Sequence, residues 1–282
     1  MTGFRYLSRI DNFYNNMDCI KYLNSYDEIA ELVSQVQMRR IANPFIMEHY
    51  RGQGRPEYQL VPTISRGISD PAIVAKKEDM IFRALEGELQ AAGLHDVLRM
   101  DPNLSNDQNK WNILIQSQHL GAPTRLLDWT LKWEMAVWFA VENPKNDDVD
   151  GQFWVYSVPN DKFLNDAQGS RYYEKDLVNL DNPYFLNAPI YWSDEIFNQN
   201  GEIKRFRQHG KFSISPYEKA IIPLEEQQEL IPHLEKYGIP AAIKGQLRLE
   251  LAAKGIHDQF VYYKENNNHP TIESLIQNVR TI

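Results

Sequence analysis

Apolar residues recur in this chain at two different spacings, and the two do not alternate in a regular order. Ile29, Leu32, Val33 and Val36 fall three and four apart or side by side, as do Trp133, Ala136, Val137 and Ala140. That is the spacing of one buried helix face. Phe45 to Tyr50, Pro123 to Trp129 and Phe153 to Val158 are short and rich in aromatic or branched residues, as strands are. Helices and strands do not come one for one, so a regular βαβ array is not expected. The pattern predicts an α+β fold, one domain over residues 1–282, with the C-terminal helices packed onto it.

Local signals set the expected boundaries. Ser25-Tyr26-Asp27-Glu28 reads as a capping box, with Glu28 reaching back, and opens a helix that ends near Arg40. Asp70-Pro71 pairs an N-cap with proline at the first helical position. The helix it opens carries Met80, Ile81, Ala84 and Leu85 on one face. A further helix around Trp111 to Gln118 stops at Gly121. Tyr58 to Pro62 and Phe260 to Tyr263 are expected to be extended. Lys204 to Ile214 and Lys219 to Ile222 are expected as paired strands. Helices are expected over Pro223 to Tyr237, Ile243 to Lys254 and Thr271 to Val279. Residues 160–200 are expected to be irregular.

Charge and composition narrow the function. Lys plus Arg number 30 against 38 Asp plus Glu, a formal charge of -8. This argues against a protein that coats nucleic acid or membrane, which needs a basic surface, while leaving a local basic groove open. A single cysteine, Cys19, excludes an intrachain disulfide and a thiolate metal cage. The seven histidines show no metal spacing, so no metal site is expected. No apolar run reaches membrane-spanning length, and the cytoplasm is the expected compartment. A P-loop and the GxSxG, HExxH and GxGxxG signatures are all absent.

Three segments concentrate chemistry-bearing residues. The first is Tyr50-Arg51-Gly52-Gln53-Gly54, with Tyr58, Pro62 and Arg66 downstream. An arginine at the end of a buried strand can offer a planar fork to phosphate or carboxylate. Its flanking glycines leave room for a ligand against the backbone. A structural salt bridge beside a tight turn is the commoner reading of the same residues. The second runs from Gln118-His119 through Gly121, Pro123 and Thr124-Arg125-Leu126-Leu127-Asp128-Trp129-Thr130. Alternation puts Thr124, Leu126 and Asp128 on one face and Arg125, Leu127 and Trp129 on the other. Asp128 and Thr130 also stand where helix caps stand; no cap explains His119 or Arg125. Trp129 either stacks a base or fills the core, the more common fate. The third is Arg205-Phe206-Arg207-Gln208-His209-Gly210-Lys211-Phe212. Interleaved basic and aromatic residues suit phosphates and base rings; a solvated hairpin with Phe206 and Phe212 in the core is the alternative.

At these three segments the chain resembles the FRG domain family, named for a Phe/Tyr-Arg-Gly motif. Here the motif reads Tyr50-Arg51-Gly52. The longest match is Gln118-His119-x-Gly121-x-Pro123-Thr124-Arg125-Leu126-Leu127-Asp128-Trp129-Thr130, followed by Ala136, Phe139 and Ala140. Arg207-Gln208-x-Gly210-x-Phe212 is the third element. The resemblance covers about residues 30–280 and leaves 1–24 as an extension.

A fainter similarity reaches the ADP-ribosyltransferases of the Arg-Ser-Glu type. They open with a strand ending in Tyr/Phe-Arg-Gly, whose arginine contacts NAD phosphates. This implies a split β-sheet core with NAD as co-substrate, held by Tyr50, Arg51, Gly52, Gln53, Thr124 and Arg125. It implies an acceptor macromolecule, nucleic acid before protein, meeting Arg66, Trp129, Arg205 and Arg207. The Glu-x-Glu of that family has no counterpart here; Arg205-Phe206-Arg207-Gln208 stands in its place. Asp128 is then the expected acid, with Glu134 second. His119 is the expected base, and Gln208 and His209 are expected to bind the ribose or orient the acceptor. The similarity further implies a bacterial toxin or phage-defence effector, with an antitoxin or regulatory protein as a further partner. A non-catalytic module that binds nucleotide or nucleic acid is the alternative.

Overall fold

A computed structural model describes residues 20–44, 46–93, 114, 117–118, 121–159, 163–164, 190–191, 210–262 and 270–282. In chain order the elements are β1 (Lys21–Tyr22), α1 (Tyr26–Ala42), β2 (Ile46–Gln53), α2 (Pro71–Ala91), β3 (Leu126–Thr130), α3 (Trp133–Val141), β4 (Gly151–Pro159), β5 (Phe163–Leu164), β6 (Ile190–Tyr191), β7 (Gly210–Ile214), α4 (Tyr217–Ala220), β8 (Leu234–Ile239), α5 (Lys244–Ala253), α6 (Asp258–Val261) and α7 (Pro270–Arg280). The fold is mixed α+β. It divides into two compact units, each drawn from three stretches of chain. The first comprises 1–58, 130–158 and 231–261; the second comprises 59–129, 159–230 and 262–282.

In the first unit the strands run in the order β1-β8-β4-β2. β1 lies parallel to β8, and β4 pairs antiparallel with β8 from Gly151↔Ile239 to Tyr156↔Leu234. Helix α1 begins where Ser25 Oγ accepts from the Glu28 amide at 3.1 Å. Glu28 reaches back one residue further than a capping box requires, to the Asn24 amide at 2.8 Å. The α1 stripe of Ile29, Leu32, Val33 and Val36 is buried with Met135, Ala136, Val137 and Trp138 of α3, Phe153 and Val155 of β4, Tyr237 and Ile239 of β8, and Leu247 and Leu251 of α5. Removing this apolar surface from water is what closes the unit.

Strand β8 occupies part of the expected Pro223–Tyr237 helix. Pro232 lies inside that span, and a proline there removes an amide donor and clashes with the preceding turn. The chain makes two single 3-10 turns, Leu224–Glu226 and Ile231–His233, before entering the sheet. Of the expected strand Phe260–Tyr263, Phe260 and Val261 lie instead in the short helix α6, and Tyr263 falls outside the described residues.

In the second unit the order is β3-β7-β6-β5. β6 pairs antiparallel with β7 (Ile190↔Ser213) and parallel with β5. Asp70 caps α2 by accepting from the Ala72 amide at 2.9 Å. The buried stripe of α2 is Val74, Glu78, Ile81, Leu85 and Leu89, and its apolar members meet Leu275, Ile276 and Val279 of α7. Met80, expected on that face, is exposed. The expected strand Lys219–Ile222 is instead the end of α4 and the turn after it. Tyr58 to Pro62 forms no strand and leads into a 3-10 turn, Thr63–Ser65. Of the helix expected over Trp111 to Gln118, only Leu114, Ser117 and Gln118 are described, all helical. Cys19, most of 160–200 and the start of the Lys204–Ile214 strand fall outside the described residues. No described helix is long and apolar enough to cross a membrane.

Candidate functional site

The Tyr-Arg-Gly motif lies inside β2, not after it. Along this strand Glu48, Tyr50 and Gly52 share one face, and His49, Arg51 and Gln53 share the other. The first face packs on the helices. Tyr50 is buried there, stacked on Phe153 with ring centroids 5.9 Å apart. Gly52 is where α3 rests on the strand: a Cβ at Gly52 would stand 1.7 Å from the Ala136 carbonyl oxygen and 2.7 Å from the Ala140 nitrogen. The room this glycine leaves is filled by a helix backbone, not by a ligand. Burial pushes the Glu48 carboxyl up from its ordinary range, against the pull of its own backbone hydrogen bond, Arg40 and Arg39. Burial, and next the Glu48 charge, push the Tyr50 phenol up.

The second face is polar and aromatic. Arg51 is half-buried on it. Gln53 is buried, and its Oε1 accepts from Trp154 Nε1 at 3.1 Å. That bond sets Gln152, Trp154 and Tyr156 of β4 on the same side of the sheet as Arg51. Trp154 faces Lys236 across the β4–β8 register, and the Lys236 ammonium lies 5.1 Å from its ring centroid. Gln152 donates from Nε2 to the carbonyls of Arg55, Pro56 and Tyr58 at 2.8, 2.6 and 3.1 Å. It thereby fixes the turn that follows the motif. His49 is buried, with Nδ1 3.3 Å from the Met47 carbonyl.

In the second unit the long motif is organised around a buried arginine. Arg125 Nε lies 2.9 and 3.0 Å from the two Glu78 carboxylate oxygens, and Nη2 lies 2.8 Å from Oε2. Nη1 donates to the Ser215 carbonyl at 2.9 Å. The guanidinium carbon sits 3.9 Å from the Tyr217 ring centroid. Arg125 is thus enclosed by protein partners and presents no fork to a phosphate. Trp129 is also interior, its Nε1 donating to Ser213 Oγ at 2.8 Å, so it offers no face to a base.

Asp128 differs: it is the exposed residue of β3. Gln118 Nε2 donates to its Oδ2 at 2.7 Å, and Thr124 Oγ1 donates to Gln118 Oε1. The Thr124 hydroxyl also accepts from the Leu126 amide at 3.1 Å. Thr124 therefore orients Gln118, and Gln118 orients the carboxylate. In the first unit the Thr130 hydroxyl accepts from the Lys132 amide at 3.0 Å, a local turn ahead of α3. Arg66 is exposed at the end of the 3-10 turn. His119, Arg205, Arg207, Gln208 and His209 lie outside the described residues. Among the described residues no group of three potential ligands could hold a metal ion.

Sequence reasoning missed Glu78, Gln152, Trp154 and Lys236. The signal for Glu78 was present: a carboxylate inside an apolar helical stripe needs a buried cation. The other three are named only by strand pairing.

A family model for the FRG domain matches residues 47–149, from β2 to the residues just before β4. No curated protein matches the chain. No solved structure matches it either.

Proposed function

We propose that this chain binds NAD with the pyrophosphate against Arg51 and passes ADP-ribose to a macromolecule, nucleic acid in preference to protein. One observation carries the reading. The Tyr50-Arg51-Gly52 run sets Arg51, half-buried, on a polar, aromatic sheet face beside Trp154 and Lys236. A guanidinium in that setting presents a planar fork to phosphate, with less screening than at an open surface. Lys236, on the same face, adds a second positive charge. The ADP-ribosyltransferase-like core of this reading is β2 with its Tyr-Arg-Gly, helix α3 with Ala136-Val137-Trp138-Phe139-Ala140 upon it, and β4 next in the chain.

The chemistry requires a carboxylate. As the glycosidic bond to nicotinamide breaks, the electron pair leaves with nicotinamide and positive charge grows on the ribose. The acceptor atom then bonds to that carbon, and its proton passes to a base. Asp128, exposed and oriented by Gln118, is the acid of this proposal; Glu134 is second, and His119 is the base. Such an enzyme suits a cytoplasmic toxin or phage-defence effector with its own antitoxin.

A second reading, a non-catalytic nucleotide- or nucleic-acid-binding module, draws support from a specific pair of observations. Arg125 and Trp129 are both turned to structural use, and Arg205-Phe206-Arg207-Gln208 stands where the Glu-x-Glu would come.

The deciding experiment is nicotinamide release from labelled NAD by wild type, Arg51→Ala and Asp128→Asn, alone and with RNA, DNA or cell extract. Release lost in both variants, with label on one polymer, supports the transferase. NAD binding without release under every condition supports the module. A folded Arg51→Ala that binds and turns over NAD as wild type does overturns both.

A further inference from the structure

Lys244 is the first residue of α5, and its side chain is fully buried. Its ammonium donates to the Gly54 carbonyl at 2.8 Å and to the Asn146 carbonyl at 2.8 Å. Gly54 directly follows β2 and the Tyr50-Arg51-Gly52-Gln53 run. Asn146 belongs to the 3-10 turn Pro144–Asn146, after α3. The path to these carbonyls exists because residue 151 is glycine. A Cβ there would stand 3.3 Å from Lys244 Cε, 2.9 Å from the Ala140 carbonyl oxygen and 3.4 Å from the Gln53 carbonyl oxygen. The same junction is tied a second time, by Arg55 Nη1 donating to Asn146 Oδ1 at 3.3 Å. Burial makes Lys244 easier to deprotonate than an ordinary lysine, and Asp147 and Asp150 oppose that effect; Arg248 adds to it and Asp148 opposes it. A charge held in a buried position against backbone oxygens is costly unless its geometry is used.

We infer that Lys244 is the positioning residue of the Arg51 site: an internal cation that pins the end of β2 to the turn after α3 and so fixes the direction from which Arg51 meets a phosphate. The inference rests on the NAD reading above for the identity of the ligand, but the pinning is measurable without it. Lys244 acts through Gly54 and the strand, not by touching ligand.

The test uses the full chain as wild type, Lys244→Met, Lys244→Ala and Arg51→Ala, each held well below its own melting temperature. Calorimetry with NAD gives affinity, and amide exchange of the peptide spanning 51–54 gives the pinning. The expected result is an affinity about tenfold weaker in Lys244→Met, the scale of one charge-assisted hydrogen bond. Exchange at 51–54 should be faster, while β8 stays protected. Propylammonium added to Lys244→Ala should restore both. Unchanged affinity and unchanged exchange in a folded Lys244→Met overturn the inference, even if its melting temperature falls. If wild type itself does not bind NAD, the NAD reading fails. The positioning role is then decided by exchange alone: faster at 51–54 supports it and unchanged refutes it.

Discussion

Arg125 and Glu78 meet side-on through paired hydrogen bonds, with both side chains all but fully buried. Tyr217 completes the arrangement. Its ring stacks on the guanidinium and its hydroxyl donates to Glu78 Oε2 at 2.6 Å. An ion pair so enclosed is worth less for its attraction than for what breaking it exposes. Glu78→Leu alone strands a buried cation and should cost about 3–5 kcal/mol. Arg125→Met with Glu78→Leu should cost clearly less than the sum of the singles. Urea unfolding of the three variants checks this, and additive losses would mean that the pair is not coupled.

Gly52 and Gly54 stand two residues apart and should respond very differently to alanine. At Gly52 the new methyl collides with the backbone of α3, which cannot move aside without leaving the core. Gly52→Ala should lower stability by about 3 kcal/mol or more, or leave no soluble protein. At Gly54 the nearest atom is the Asn146 side-chain amide, 3.0 Å away and able to rotate. Gly54→Ala should fold normally. Soluble yield and melting temperature separate the two.

Glu48 gives a pH signature of definite sign. Its carboxyl is pushed up in the folded state, chiefly by burial. The folded state therefore holds this proton at a pH where the unfolded state has released it. Stability contributed by this group is full below the ordinary glutamate range and falls as pH rises through the folded pKa. Glu48→Gln should raise the melting temperature at pH 7–8, with the gain vanishing as pH falls below about 4. A melting series against pH for both proteins provides the test, and a gain that grows on acidification would contradict the assignment.

Trp129 should behave as a core residue. Trp129→Phe loses ring volume and the bond to Ser213, a cost of about 1–3 kcal/mol. Its affinity for NAD and RNA should equal that of wild type. A variant that folds as stably as wild type but loses RNA binding would return Trp129 to the surface.

Periodicity and caps could be read directly where one element decides its own form. Ser25, Asp70 and the stripe of α1 needed no tertiary information, and the α+β class followed from such helix signals together with the short strand-like runs that do not alternate with them. β8 could not be read that way, because what makes Leu234–Ile239 a strand is the edge of β4. The same limit applied to the site. Arg51 and Arg125 are alike in sequence, each beside a strand and near small residues. Only Glu78, far away in the chain, marks Arg125 as the one sequestered in a core. Gly52 looked like room for a ligand for the same reason, since nothing local announces that α3 will lie across it.

The interleaving of the two units bears on how the chain is made. β4 gains its second neighbour only when β8 has been synthesised, and part of the cover over the stripe of α2 comes from the late α7. Neither core can close while its last stretch is still in the ribosome. Non-local closure of this kind is slow and leaves apolar surface open in the meantime. Until then the nascent chain shows part of the stripe of Val74, Ile81 and Leu85 to water, a helix still short of its lid.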